Sequence, residues 1–352
     1  MLKALLRFLV LFVILLIGFF YFDQPVKENE PLKGPTKTVP NTTAPQLSGD
    51  VQQRPKTGWS TYVGKDISTF EKKMGQPIRK GPSAYGFTWW VYGDENQYML
   101  VGVEKDKINQ VYVTGTRVDF APFKMGQTLD ELYRTTITDM EVNIKIQQNI
   151  YTMVLSEEDL QSRLLIMYNG VLAQLYFDSA TKKLMAVRYI DGETLVKQKP
   201  YDMTYVGEVI ETKKPSSFEQ EKINQENAQQ LFELSNVYRE INDLPALEKD
   251  GKLSEVTSTQ LKGLVMERLA KSDAPDTDLQ SLLKENDVDF EETAENIAED
   301  YADAADAISG ILNSEKHRQD LLNATYNHLG TASFENNFAQ IFIEQKPESD
   351  SK

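Results

Sequence analysis

The sequence predicts a mixed α+β protein held at a membrane, and three observations carry that reading. An apolar run opens the chain, two similar sets of strand-like segments fill its middle, and helical periodicity takes over after Ser216. With 352 residues the chain has room for two or three hydrophobic cores.

From Leu2 to Phe22 the only charges are Lys3 and Arg7. A helix of this length rises roughly 31 Å, enough to cross a hydrocarbon core with Arg7 snorkelling back to the headgroups. Both cations precede the apolar run and Asp23 follows it. The positive-inside rule then predicts a single-pass cell-membrane protein with a cytoplasmic N-terminus and an extracellular remainder. Residues 1–23 are therefore expected to be a transmembrane anchor. The alternative is a cleaved signal peptide, which needs small residues at the cleavage site, whereas "GFFYFDQ" offers bulky aromatics. The chain has no cysteine, so no disulfides staple it outside the cell, which suits a bacterial surface. Residues 24–59 contain Pro25, Pro31, Pro35, Pro40, Pro45 and Pro55 among Thr, Asn, Gln and Lys. Such a segment reads as a semi-extended tether, long enough at about 3.1 Å per residue to hold a domain roughly 100 Å from the bilayer.

A formal charge of −15, with no cluster of Lys and Arg in the folded segments, argues against a nucleic-acid partner. Between Glu285 and Asp306 there are ten carboxylates and no Lys or Arg. This stretch reads as a solvated acidic face, because it lacks the glycine-containing twelve-residue loop of a calcium site.

Residues 60–206 contain an internal duplication. "VGKDISTFEKKMGQP" (63–77) resembles "MGQTLDELYRTTITD" (125–139): a glycine, a polar cap at Asp66 or Thr128, then apolar residues at Ile67 and Phe70 or Leu129 and Leu132. Each predicts a short capped helix. Strand-like runs follow each helix, and the last run of each unit turns at Glu104 to Lys107 or at Asp178 to Lys182. The expected structure is two helix-plus-antiparallel-sheet units in one domain, serving as a binding or spacing element. Trp89, Trp90, Tyr92, Tyr98 and Tyr112 could form a carbohydrate platform, but aromatics alternating along strands more often fill a core.

Ser216 and Glu219 form a capping-box pattern ahead of a long helix, along which Ile223, Leu231, Leu234, Tyr238 and Ile241 recur at helical spacing. Four blocks then follow in order: Asn236 and Arg239 with Leu244 to Leu247, "AENIA" (Ala294 to Ala298), "ILNSEKHR" (Ile311 to Arg318), and "FAQIF" (Phe338 to Phe342). In these blocks, over about residues 225–345, the sequence resembles the short bacterial form of the CAP superfamily, the cysteine-rich secretory, antigen 5 and pathogenesis-related proteins. The resemblance implies an α-β-α sandwich over residues 217–346. The repeat ahead of it resembles the CAP-associated N-terminal domain.

Members of the superfamily gather two histidines and two glutamates in one cleft, where they can bind a divalent metal. The resemblance places His317 on the later cleft histidine and Glu295 on the Glu of the Gly-Glu-Asn block. Gln260 stands where the first histidine is expected, and an amide oxygen is a poor substitute for imidazole. The second carboxylate has no clear equivalent among Ile311, Leu312, Asn313 and Ser314, although Glu315 is nearby. His328 matches no functional position. The expected cleft is thus Gln260, Glu295, Asn296, Ser314 and His317, with Glu295 and His317 the candidate catalytic pair, no metal ligands assigned, no cofactor and at most weak divalent-metal binding. No P-loop, Rossmann fingerprint, HExxH motif, zinc ribbon or nucleophile elbow is present. Two readings follow. The favoured one is a non-catalytic extracytoplasmic module that binds a lipid, an envelope glycan or a protein, with a Glu295–His317 hydrogen bond fixing the cleft walls. The other is an envelope hydrolase or peptidase using Glu295 and His317 as its acid–base pair.

Overall fold

The computed structural model describes residues 30–41, 52–136, 138–270 and 278–346. The apolar run Leu2–Phe22, read above as an anchor, lies outside them. Among the described residues no helix is long and apolar enough to cross a membrane.

In chain order the elements begin with two short strands, β1 (Leu32–Lys33) and β2 (Thr38–Pro40). The first unit of the repeat follows as α1 (Ile67–Met74), β3 (Arg79–Pro82), β4 (Thr88–Gly93), β5 (Tyr98–Glu104) and β6 (Lys107–Thr114). The second comprises α2 (Leu129–Tyr133), β7 (Glu141–Ile146), β8 (Asn149–Val154), α3 (Glu157–Ser162), β9 (Arg163–Tyr168), β10 (Val171–Asp178) and β11 (Lys183–Ile190). After α4 (Gly192–Gln198) and β12 (Asp202–Val206) come α5 (Ser217–Ile241), β13 (Glu248–Lys249), α6 (Gly251–Ala270) and α7 (Leu279–Glu285). The C-terminal part closes with β14 (Thr293–Glu299), α8 (Ala304–Asn313), α9 (Glu315–Leu321), β15 (His328–Phe334) and β16 (Asn337–Ile343).

The duplication is visible in the hydrogen bonds. A seven-stranded sheet runs β3-β4-β5-β6-β11-β10-β9, with the last strands of the two units paired antiparallel at its centre. Gly64 N bonds Ile108 O at 2.7 Å and Ile67 N bonds Asp106 O at 3.0 Å; in the second unit Gly126 N bonds Leu184 O and Leu129 N bonds Lys182 O, both at 3.1 Å. The β5–β6 and β10–β11 hairpins each shift register at the matching place, Gly102/Val103 and Tyr176/Phe177. Lys105 and Asp106 both adopt left-handed backbone, φ 50° and 61°, so the first hairpin closes in two residues. One strand departs from expectation. β8, carrying "IYTMV", does not join β9 in the large sheet; it sits in a second sheet of order β2-β12-β8-β7.

The Pro-rich segment is not wholly extended tether. β1 pairs in parallel with β14, and β2 pairs in parallel with β12, so this segment is strapped across both folded parts of the chain. Gly34 N bonds Glu299 O at 2.8 Å, and a Cβ on Gly34 would strike the Asp300 carbonyl, so the strap lies flush only because this residue is glycine.

The C-terminal part is a three-layer sandwich around the sheet β1-β14-β16-β15-β13. Ile297, Ala332 and Ala339 pack with Leu261 and Val265 of α6 on one face. On the other, Phe338 and Phe342 pack with Leu231 and Leu234 of α5 and Ile308 of α8. That same core continues into Trp89, Leu100, Tyr112 and Tyr176 of the seven-stranded sheet. The opposite face of that sheet packs Val101, Val111 and Leu175 with Phe70 of α1. Burial on both faces explains why these strands read as continuous apolar runs. The repeat thus shares a continuous core with the C-terminal sandwich. Trp89, Tyr92, Tyr98 and Tyr112 are buried, so they form no exposed sugar platform.

Candidate functional site

Side chains alternate across β14. Ile297 meets α6, so Glu295 faces the layer that also carries Gln260, and Asn296 faces the other. Glu295 is buried, and the Gln260 Oε1 atom is buried with no hydrogen-bond partner in the structure. Asn296 works as a clamp. Its Nδ2 donates to the His317 carbonyl at 2.9 Å and to Gln340 Oε1 at 3.1 Å, while Gln340 Nε2 donates to Ser235 Oγ at 2.7 Å. This relay ties α5, β16, β14 and helix α9, which carries His317, into one unit.

The His317 imidazole is buried, with Nδ1 at 2.9 Å from Ser314 Oγ. Burial, with a smaller contribution from Lys316, lowers its pKa to about 4. It is therefore neutral at physiological pH and has little proton affinity. Ser314 caps the start of α9 without bonding a backbone N–H, because its hydroxyl is turned to the imidazole. His328 lies at the start of β15, with Nδ1 at 2.8 Å from Asn327 Oδ1 and Nε2 at 3.7 Å from Glu248, away from this group.

The other signature residues have structural partners. Asn236 exchanges hydrogen bonds with the Leu247 backbone, at 2.8 and 3.1 Å. Arg239, fully buried, donates to the carbonyls of Pro245, Leu321 and Asn323 at 2.9, 3.0 and 2.8 Å. Asn313 and Arg318 reach out of the sandwich altogether. Asn313 accepts from Ser179 N at 2.7 Å and donates to Phe177 O at 3.0 Å, and Arg318 donates to Asp178 at 2.9 Å.

The acidic stretch contains a correction. Asp303 and Asp306 are not on a solvated face; both are buried at the junction with the repeat. Arg188 Nη2 lies 2.7 Å from Asp303 and its Nη1 3.8 Å from Asp306, which also accepts from the Tyr176 hydroxyl at 2.7 Å. Arg163 pairs with Asp159 at 2.9 Å and approaches Asp306 at 3.8 Å. Sequence reading missed this network, although "LMAVRYI" held the signal. A cation within an apolar strand run must find a partner.

Family models match in the same order as the architecture: the CAP-associated N-terminal model over residues 63–201 and the cysteine-rich secretory protein family model over residues 232–341. An uncharacterised membrane protein of Bacillus subtilis (strain 168), YlbC, is 34% identical over 316 residues, covering 87% of this chain and 90% of the relative. The chain belongs to the cysteine-rich secretory protein, or CAP, family. Two crystal structures support the same assignment. An extracellular protein containing an SCP domain from Bacillus anthracis is 31% identical with a TM-score of 0.76, covering 86% of this chain and all (100%) of that one. A cysteine-rich secretory protein from Staphylococcus aureus is 29% identical with a TM-score of 0.79, over 90% of this chain and 99% of the other. The CAP domain here carries a reduced donor set. Among the described residues no group of three or more His, Cys, Asp or Glu side chains is placed to hold a metal ion. Gln260 supplies an amide, and His317, whose Nδ1 is held by Ser314, offers Nε2 as the single imidazole donor where the family uses two histidines. These residues do not fit the family's divalent-metal site.

Proposed function

We propose that this CAP protein is a membrane-anchored extracytoplasmic binding protein rather than a hydrolase. The observation that carries this reading is the state of His317. An imidazole with a pKa of about 4 is a weak general base at neutral pH, and the hydroxyl bonded to it belongs to the cap of its own helix. A serine nucleophile would also need an acid behind the imidazole and donors for an oxyanion. The anchor is supported by the apolar run Leu2–Phe22 and by the naming of the B. subtilis relative as a membrane protein. The positive charges at Lys3 and Arg7 favour an outward-facing body.

A reporter fused after Lys352 tests topology: activity only outside the cell is expected, and activity in the cytoplasm would refute the orientation. The competing reading, an envelope hydrolase or peptidase, predicts turnover of envelope substrates that vanishes in Glu295→Gln with stability unchanged. Such a result would replace the binding reading.

A further inference from the structure

A cavity of about 350 Å³ lies where the strap, the repeat and the CAP domain meet, within the size range of small-ligand sites. The strap residues 33–37 form one wall, α3 with Arg163 a second, and α8 with Tyr301 a third. Its lining carries both signs, Lys33, Lys37 and Arg163 against Glu158, Asp159, Asp202 and Asp306, with Arg163 beside Asp159 and Asp306 and Lys37 beside Asp202. A ligand of either net charge would leave one sign uncompensated, whereas hydroxyl groups can donate to the carboxylates and accept from the guanidinium. The site also makes room for a hydroxyl of its own. A Cβ on Gly310 would collide with the Tyr301 hydroxyl, so a glycine in mid-helix lets that ring seat its oxygen at the cavity wall. Ser309, on the same helix, adds a second hydroxyl group to the lining.

We infer that this strap-walled cavity is a binding site for a neutral, hydroxyl-rich ligand of the saccharide class, distinct from the cleft around His317. The inference rests on the reading of the chain as an extracytoplasmic binding protein and gives that reading a site and a ligand chemistry. Because residues 33–37 form a wall, ligand affinity depends on the strap staying docked through β1 and β2.

The test uses the full chain in detergent micelles, with N,N′-diacetylchitobiose as the probe and inorganic phosphate and spermidine as charged comparisons, read by saturation-transfer NMR and calorimetry. Saturable disaccharide binding is expected. It should weaken roughly three- to tenfold in Tyr301→Phe, which removes only a hydroxyl. It should be lost in Thr36→Trp, which fills the cavity from an exposed strap position, with an unchanged unfolding temperature as the control for folding. Disaccharide binding unaffected by Thr36→Trp but lost in His317→Ala would overturn the inference and leave the proposed function standing. Binding of phosphate or spermidine in its place would overturn the ligand class. Absence of binding by all three probes would overturn the site, and envelope turnover dependent on Glu295 would overturn the proposed function separately.

Discussion

Arg188 of β11 and Asp303 at the cap of α8 meet at 2.7 Å, and both side chains are shielded from solvent. One belongs to the repeat and the other to the CAP domain. Asp303 has several duties at once: it caps α8 through the N–H groups of Ala305 and Asp306, both at 3.1 Å, and accepts from Gln198 at 3.1 Å. Burial nevertheless holds its carboxyl above the usual range, against the opposing pull of Arg188.

Removing one member of this pair should cost more than the pair contributes, because it strands a charge in the interior. Arg188→Met is expected to destabilise the protein by about 3–5 kcal/mol. Adding Asp303→Asn should recover part of that loss. Urea unfolding of the two single variants and the double variant measures the coupling. A loss below about 1 kcal/mol in Arg188→Met would mean that water reaches the pair.

The shared core makes a second expectation. Residues 60–206 and 217–346 should unfold together in one calorimetric transition, because Trp89, Tyr112 and Tyr176 are buried in the same cluster as Leu231 and Tyr238. Each fragment expressed alone should expose that face and aggregate. Two separate transitions would show instead that the interface is merely adhesive.

His317 gives stability a pH dependence with a definite sign. Its folded pKa, about 4, lies below the ordinary 6.5, so the unfolded chain takes up a proton first as the solution is acidified. Its contribution therefore erodes stability from about pH 6.5 down to about 4 and levels off below. His317→Gln should lose less stability than wild type between these limits, as followed by denaturant titration at each pH. An equal loss in both proteins would place the acid sensitivity elsewhere.

The metal site can be tested by restoring a ligand. Wild-type protein should bind zinc no tighter than roughly micromolar, and Gln260→His should tighten binding by an order of magnitude or more if residues 260, 295 and 317 face one space. Calorimetry with zinc reads both values. Tight binding by wild type would show a working site, and no gain in the variant would show that the three side chains do not converge.

Local patterns sufficed for much of this chain. The capping box at Ser216 and Glu219, the helical spacing of Leu231, Leu234 and Tyr238, and the turn at Lys105 and Asp106 follow from interactions within a few residues. The family blocks likewise pointed to the sandwich, and the first of them holds a contact within the block's own span, Asn236 with the Leu247 backbone. What the sequence could not assign was partnership over long separations. Asp303 and Asp306 looked like members of a solvated acidic run, and only folding placed Arg188 and Arg163 against them. Asn313 and Arg318 belong to the "ILNSEKHR" block of the CAP domain, yet they hold the β10–β11 hairpin of the repeat. The Pro-rich segment read as a tether because its pairing depends on the exposed edges of β14 and β12, which exist only once both sheets have formed. A charge or a strand edge has no preferred partner in one dimension. Desolvation selects one when the core closes, and that selection is a property of the tertiary structure.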